Sequence, residues 1–276
     1  MSSNSKPKEV SIEATLLIQN AKIRTLDKQD PVVESLASLG ERIIAIGSNK
    51  ELAGLAGPST KKLDLEGRTV LPGFIDAHQH LSIFSQIPLQ LNLSALQIKN
   101  VGKLLEAVQS EAKRLPRGEW IRGVLYDDTK MLGDRALTKE DLDRVVPYHP
   151  VIIIHVSYNW SIVNSEALRR GGISETTRDQ KGRKIGRDSI TGRLTGQLFG
   201  TAFHSEAMSG GRAIVPPFEK GIRERALIDA ARTMNAAGIT SVTDASCAPS
   251  YVTSYQGLAV DRLLPLRINM LISYFC

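Results

Sequence analysis

The sequence predicts an α/β protein in which a small β-sandwich precedes a longer region of alternating helices and strands. Several short β-favouring stretches, separated by Gly, Asn and Asp, fill residues 14–68, a pattern typical of a small sandwich. Farther along the chain, two helical periodicities are each followed by an apolar, β-favouring stretch. This alternation is typical of α/β folds. The two regions meet at residues 69–81, an apolar stretch that ends in two histidines.

The helices of the second region have clear start and stop signals. Apolar residues at helical spacing over 101–115 predict an amphipathic helix that begins after Asn100. A second helix is predicted over about 222–237, where Gly238 ends it. The β-branched stretch that follows, 239–244, predicts a strand, as does 266–272 near the end of the chain.

The composition excludes nucleic-acid binding as a function. The chain has 276 residues, of which 42% are hydrophobic, so it can bury a sizeable core. Its net charge of +6 comes from 35 basic and 29 acidic residues, and no long basic stripe is visible. Aromatic residues make up only 5% of the chain, whereas a nucleic-acid surface would interleave aromatics with its basic residues.

The remaining composition predicts a cytoplasmic protein. Cys247 and Cys276 make no disulfide framework, which fits a reducing compartment. The polar N-terminus (1–13), which we expect to be a disordered tail, lacks the apolar core of a signal peptide. The longest apolar run, 151–154, is too short to span a membrane. We therefore expect neither a membrane nor a nucleic acid among the partners.

The strongest chemical signal lies in residues 69–81. Residues two apart on a strand point to the same side, so His78 and His80 can reach one centre while Gln79 faces away. Imidazole is a common zinc ligand, and the pair can therefore form half of a metal site. The alternative is an ordinary loop that contains two histidines. The apolar strand, the Pro-Gly turn and Asp76 before the pair favour the metal site.

The segment Leu71-Pro-Gly-Phe-Ile-Asp-Ala-His-Gln-His80 resembles the metal-binding signature of the amidohydrolase superfamily. The closer likeness is to its amidohydrolase-3 branch, which includes N-substituted formamide deformylases. The resemblance implies that this segment is the first strand of a metal-dependent (β/α)8 barrel. Residues 69–276 would form part of that barrel, and residues 14–68 the N-terminal part of the β-sandwich domain. It also implies a small-molecule amide substrate and a divalent metal, with zinc as the expected ion.

Members of this branch carry a large insertion after the first barrel strand, which here would span about 95–218. The chain retains the branch motifs Tyr126-Asp-Asp128 and His155-Val-Ser157. It departs at Tyr158-Asn159, where Gly-His is usual, and at Gly200, where a Glu is expected. The resemblance implies that the substrate pocket includes four residues, one of them at the end of the second barrel strand: Asp127, His155, Asn159 and Asp244.

Two of these pocket residues have a structural alternative. Asp127 and its neighbour Asp128 could cap a turn, and His155 could be a satisfied core histidine behind four apolar residues. Asn164 is expected to cap a helix that starts at Ser165 rather than to contact substrate.

A complete (β/α)8 barrel has eight strands in about 250 residues, and we count three of them in this chain. The resemblance implies further metal ligands on the fourth, fifth, sixth and eighth strands. The chain has five histidines, and the last, His204, precedes the second strand. Because catalytic zinc commonly has three protein ligands, we expect His78 and His80 alone to bind metal weakly, and we name no catalytic residue.

Three hypotheses remain open at this point. The first is a metal-dependent hydrolase of non-peptide C–N bonds, of amide or N-formyl type, impaired because the chain represents about the N-terminal half of a family member. The second is a non-catalytic remnant that acts as a binding or assembly partner, for example in a homo-oligomer. The third is that the natural protein continues beyond Cys276. The sequence leaves open whether this chain is itself an enzyme.

Overall fold

The computed structural model describes residues 12–131, 135–200, 203–204 and 213–272. The chain divides into two compact units, residues 1–73 and residues 74–276. The sequence placed a boundary slightly earlier, between residues 68 and 69. Cys276 and nearly all of the predicted tail lie outside the described residues.

The described part of the first unit contains seven short strands and one short α-helix. They are β1 (Leu16–Gln19), β2 (Lys22–Arg24), β3 (Val32–Val33), β4 (Ser35–Leu39), β5 (Arg42–Gly47), α1 (Asn49–Leu52), β6 (Lys61–Asp64) and β7 (Thr69–Val70). One sheet has the order β5-β4-β1-β6 and the other the order β3-β2-β7. A small core of Ala14, Leu17, Ala37 and Leu52 lies beneath the larger sheet.

The second unit contains the two histidines and all the other predicted site residues. Its elements are β8 (Phe74–Gln79), α2 (Leu81–Gln86), β9 (Leu91–Asn92), α3 (Val101–Arg114), β10 (Ile121–Tyr126), α4 (Lys139–Val145), β11 (Val151–His155), β12 (Trp160–Val163), α5 (Ser165–Arg170), β13 (Lys184–Arg187), β14 (Leu194–Phe199), α6 (Lys220–Ala236), β15 (Ile239–Cys247), α7 (Pro249–Val260) and β16 (Arg267–Ile272). No helix within the described ranges combines the length and the apolar character that crossing a membrane requires.

Three of these strands form a parallel sheet of order β8-β15-β16. They are the three strands that the sequence predicted to be consecutive barrel strands. Helices α6 and α7 cover one face, where Leu227, Val242 and Tyr255 belong to one apolar cluster. The parallel arrangement places the C-terminal ends of β8 and β15 side by side, with Gln79 opposite Asp244.

The segment between β8 and β15 forms a sheet of its own, with the order β13-β14-β12-β11-β10-β9. Val151 and Ile153 pack into an apolar cluster on one face, and Ile152 and Ile154 pack into a second cluster. Burial on both faces explains why β11 is apolar at four consecutive positions rather than alternating.

The predicted helix signals act as expected. Asn100 caps α3 by accepting a hydrogen bond from the Lys103 amide at 2.9 Å. Gly238, the predicted stop, follows α6 with φ of +82°, a conformation that a side chain disfavours. Helix α7 was not predicted, although Pro249 at its first turn is a usual start signal.

Candidate metal and substrate site

The two histidines stand at the C-terminal end of β8. His78 is the second-last residue of the strand, and His80 lies between the strand and α2. Their ring centroids are 5.2 Å apart in an edge-on arrangement. The amide nitrogen of Gln79 lies 3.4 Å from the sulfur of Met234 on α6, so this side chain turns toward the helices.

The hydrogen bonding of His80 fixes which ring nitrogen is free. Its Nδ1 lies 2.9 Å from the carbonyl oxygen of Ala245 on the neighbouring strand. A carbonyl can only accept, so Nδ1 carries the hydrogen and Nε2 keeps its lone pair. Histidines that bind metals commonly donate their other ring nitrogen to a carbonyl in this way. The donor chemistry of His80 therefore fits a metal ligand.

A cavity of about 650 Å³, which we call the histidine cavity, lies beside these residues. Its lining comprises Asp76, His78, Gln79, His80, Ile83, Phe84, Ile87, Val156, Ser157, Tyr158, Asn159, His204 and Ser246. It brings together three of the six residues that the sequence assigned to the site: His78, His80 and Asn159. Its volume lies within the usual range for small-molecule sites, about 300–1,000 Å³.

Asp244 does not line this cavity among the described residues. It is fully buried within β15, which continues to Cys247 rather than ending at Asp244, and Ser82 donates to it through its amide and its hydroxyl, each at 3.2 Å. The hydroxyl of Tyr255 donates a third hydrogen bond at 2.8 Å. Burial raises the pKa of Asp244, and these hydrogen bonds oppose that effect. Asp244 thus anchors the first turn of α2, next to His80.

Asp127 and His155 lie together in a separate cluster. Ligand atoms of Asp127, Asp128 and His155 fall within 4.8 Å of one another, a spacing that one metal ion could bridge. The Asp127 carboxylate, however, already accepts hydrogen bonds from the amide and hydroxyl of Thr129 and pairs with Lys130 at 3.2 Å. Asp127 therefore has the turn-capping role that the sequence offered as its alternative.

His155 is held by its own neighbours. Its Nδ1 accepts from the Ser157 amide at 3.1 Å, which places the ring hydrogen on Nε2. Nε2 lies 3.2 Å from a carboxylate oxygen of Asp128, off the direction of a good hydrogen bond. The ring stacks on Trp160 with centroids 4.7 Å apart. These contacts leave no ring nitrogen with a free lone pair for a metal.

The two departures from the branch pattern are in contact with each other. The amide of Gly200 donates to the carbonyl of Asn159 at 2.7 Å. Gly200 has φ of +112°, and a Cβ there would lie 2.0 Å from the carbonyl oxygen of Gly182. The backbone at this position therefore excludes the Glu that the resemblance led us to expect.

Sequence reasoning missed several residues of the histidine cavity. Asp76 could have been found, because it precedes His78 and His80 at the same two-residue spacing. Tyr158 and His204 have no local signal, since the turn before β12 and the segment beyond β14 bring them together only in the fold. The ring nitrogen Nε2 of His204 lies 3.0 Å from the Tyr158 carbonyl.

Comparison with known proteins identifies the family. Residues 61–273 match the sequence model of the amidohydrolase family. The chain belongs to this family. It is 34% identical over 187 residues to N-substituted formamide deformylase of Arthrobacter pascens, an alignment that covers 68% of this chain and 34% of that protein. It is 32% identical over 267 residues to the putative amidohydrolase YtcJ of Bacillus subtilis, an alignment that covers 94% of this chain and 47% of that protein. The predicted membership of the amidohydrolase-3 branch is confirmed.

Solved structures show the same fold. An uncharacterized metal-dependent hydrolase from Pyrococcus horikoshii superposes with a TM-score of 0.65 at 17% identity, covering 92% of this chain and 48% of that structure. An uncharacterized metal-dependent hydrolase from Pyrococcus furiosus superposes with a TM-score of 0.62 at 21% identity, covering 92% of this chain and 49% of that structure. This amidohydrolase chain thus spans about a third to a half of the length of these relatives.

Proposed function

We propose that this protein is a metal-dependent hydrolase of non-peptide C–N bonds, of amide or N-formyl type, and that His78 and His80 contribute to its metal site. The single observation that carries the proposal is the hydrogen bond from His80 to Ala245, which leaves Nε2 available beside a cavity of substrate size. Zinc is the divalent ion that we assign to the site, since two imidazoles at a strand end suit it.

The lining of the histidine cavity offers residues for both the metal and the substrate. When bound, the ion would supply Lewis acidity toward the substrate's carbonyl oxygen. His78 and His80 would hold it, and Asn159 across the cavity offers an amide that can donate to or accept from the substrate. Ile83, Phe84 and Ile87 line the same cavity and would bind an apolar part of the substrate.

The substrate class rests on the family. The relative from Arthrobacter pascens is named an N-substituted formamide deformylase, and this name supports an N-formyl or simple amide substrate for the present chain. Because the chain spans only part of each relative, we propose hydrolysis for the whole protein. For the 276-residue chain by itself we propose metal binding at the histidine pair.

The test is the zinc content of the chain purified in a zinc-containing buffer, measured by mass spectrometry, because two histidines alone are expected to bind the ion weakly. We expect zinc in the wild-type chain, its loss in the double variant His78→Ala, His80→Ala, and its retention in His155→Ala. The last variant is the matched control, because His155 belongs to the competing cluster of ligand atoms. Zinc that disappears with His155→Ala and survives the double variant would place the metal elsewhere and refute the assignment. A wild-type chain without zinc would refute it as well. Formamides and other amides can then be screened as substrates.

A second candidate function, a non-catalytic assembly partner, is favoured by one surface. The outer strands of the parallel sheet expose large apolar side chains: Phe74 is 56% exposed, Ile75 73% and Ile272 56%. Unpaired strand edges with exposed apolar residues promote association. Sedimentation equilibrium tests this candidate. A mass that rises with protein concentration, in a chain without metal, would favour it over the hydrolase.

A further inference from the structure

A second, smaller cavity adjoins the histidine cavity. Its volume is about 80 Å³, and we call it the arginine cavity because Arg122 and Arg223 line it. The two cavities share four lining residues: Ile83, Tyr158, His204 and Ser246. A volume of about 80 Å³ is far below the usual 300–1,000 Å³ of a ligand site, so it suits one functional group of a larger molecule.

Arg122 carries a positive charge that no carboxylate in the described ranges pairs with directly. Its guanidinium carbon lies 4.2 Å from the centre of the Phe218 ring, and the charge of Glu119 acts on it without forming an ion pair. Burial lowers the pKa of Arg122 to about 10, so the group is still charged at neutral pH. A largely buried charge without a paired opposite charge is costly, and an anionic ligand would offset that cost.

Arg223 adds a second buried cation with neutral partners. It is 9% exposed, and its guanidinium donates to the carbonyl of Phe218 at 3.1 Å and to that of Ser250 at 3.4 Å. A third contact, at 3.3 Å, is made to the hydroxyl of Ser254. These partners orient the guanidinium but do not neutralise it, so the arginine cavity is strongly cationic within the described structure.

The wall between the cavities contains two buried polar atoms without a partner among the described residues: the hydroxyl oxygen of Tyr158 and Nδ1 of His204. His204 must donate from Nε2 to the Tyr158 carbonyl, so its Nδ1 keeps a lone pair and can accept a hydrogen bond. The Tyr158 hydroxyl can donate one. Buried polar atoms are nearly always satisfied, so this pair indicates that a ligand with both an acceptor and a donor binds here.

We propose that the arginine cavity binds a carboxylate, and that the substrates are amides or formamides that carry one near the scissile bond. Arginine is well suited to this role, because its planar fork of donors matches a carboxylate. The Tyr158 hydroxyl would donate to the same anion, and His204 would accept from the substrate's N–H. The position of the amide beside His78 and His80 rests on the proposed function, whereas carboxylate binding does not.

The test compares N-formylglycine with its neutral analogue N-formylglycinamide by calorimetry, on the purified chain with a chelator present. The chelator removes the metal, so failure of the metal proposal leaves this comparison readable. We expect N-formylglycine to bind about 10- to 100-fold more tightly, the effect of charge-assisted hydrogen bonds. Arg122→Gln should reduce this preference, because Arg223 alone then supplies the positive charge of the cavity. Arg232→Gln should keep it, because Arg232 is a surface arginine on α6 whose side chain is 71% exposed.

Three results would overturn the proposal: no measurable binding of N-formylglycine, equal affinity of the wild-type chain for both compounds, or a preference that Arg122→Gln leaves unchanged. The first two need no variant, so the proposal stays testable even if a substitution impairs folding. If zinc binds at the histidines while the two compounds bind equally, carboxylate recognition is wrong and the proposed hydrolase stands. If zinc is absent while N-formylglycine still binds more tightly, the metal assignment is wrong and carboxylate recognition stands.

Discussion

Tyr255→Phe tests whether Asp244 is the anchor that the structure indicates. The substitution keeps the buried ring and removes only the hydroxyl that donates to Asp244 at 2.8 Å. Two donors from Ser82 remain, each at the longer distance of 3.2 Å. A hydrogen bond to a charged group contributes about 1.5–3 kcal/mol. We therefore expect the free energy of unfolding to fall by about 2 kcal/mol at a pH where the Asp244 carboxyl is ionised in the folded protein.

The loss should depend on pH. Burial raises the pKa of Asp244 above its unfolded value of 3.8, so the carboxyl contributes most stability below that value and loses it as the pH rises through the folded pKa. Below pH 3.8 the carboxyl is neutral in both proteins, and a neutral hydrogen bond contributes only about 1 kcal/mol. The stability lost in Tyr255→Phe should therefore shrink by about half as the pH falls from above the folded pKa of Asp244 to below 3.8.

Urea unfolding followed by tryptophan fluorescence measures both quantities, because Trp120 and Trp160 lie in the same unit as Asp244. The matched control is Tyr148→Phe, since Tyr148 is 59% exposed. It should change stability by less than about 0.5 kcal/mol, as surface substitutions usually do. Two results would refute the anchoring role. One is a loss of stability in Tyr255→Phe that is the same above and below the folded pKa of Asp244. The other is a loss no larger than that of the control.

Two further predictions follow from buried polar groups. Asn164→Ala should lower the free energy of unfolding by about 3 kcal/mol. The Asn164 side-chain amide accepts from the backbone amides of Val151 and Ala167 and donates to the carbonyls of Val146 and His149, and all four hydrogen bonds are buried. Asn100→Ala removes a single exposed cap and should cost about 1 kcal/mol; equal costs in urea unfolding would contradict this difference. Burial lowers the pKa of His204 from 6.5 to about 4. Between these two values the unfolded chain binds a proton at His204 and the folded chain does not, so the free energy of unfolding should decrease as the pH falls through this interval. An NMR titration of the His204 ring with a midpoint near 6.5 would disprove the lowered pKa and the pH dependence that follows from it.

Local patterns predicted the parts of the fold that depend on neighbours in sequence. Helix α3 followed from its apolar spacing and its Asn100 cap, and the parallel strands β8, β15 and β16 followed from β-favouring stretches with polar ends. The pairing of His78 with His80 needed only the two-residue period of a strand. These features could be read from the chain because each is decided within a few residues.

The sequence placed Asp244 in the substrate pocket and missed Ser246, which lies farther along the same strand. A strand end tells which edge of the sheet a residue occupies but not which face, and Asp244 faces the core with Val242. Simple alternation would put Ser246 on that face too, yet Ser246 lines both cavities. Ser246 has φ of +59°, and the pairing of β15 with β16 shifts register at this point. Such a bulge re-aims side chains and has no clear sequence signal.

The two groups of cavity residues come from separately stabilised parts of the same unit. His78, His80 and Ser246 belong to the parallel sheet, whose strands pair through their own backbone hydrogen bonds. Tyr158 and Asn159 lie in the turn between β11 and β12 of the intervening sheet, which has its own two apolar clusters. The strand pairings of the two sheets are separate, because β8 pairs with β15 whereas β11 pairs with β12. The histidine segment therefore belongs to a different sheet from the one whose strands adjoin Asn159 and Gly200, the two positions where the chain departs from the residues that the resemblance led us to expect.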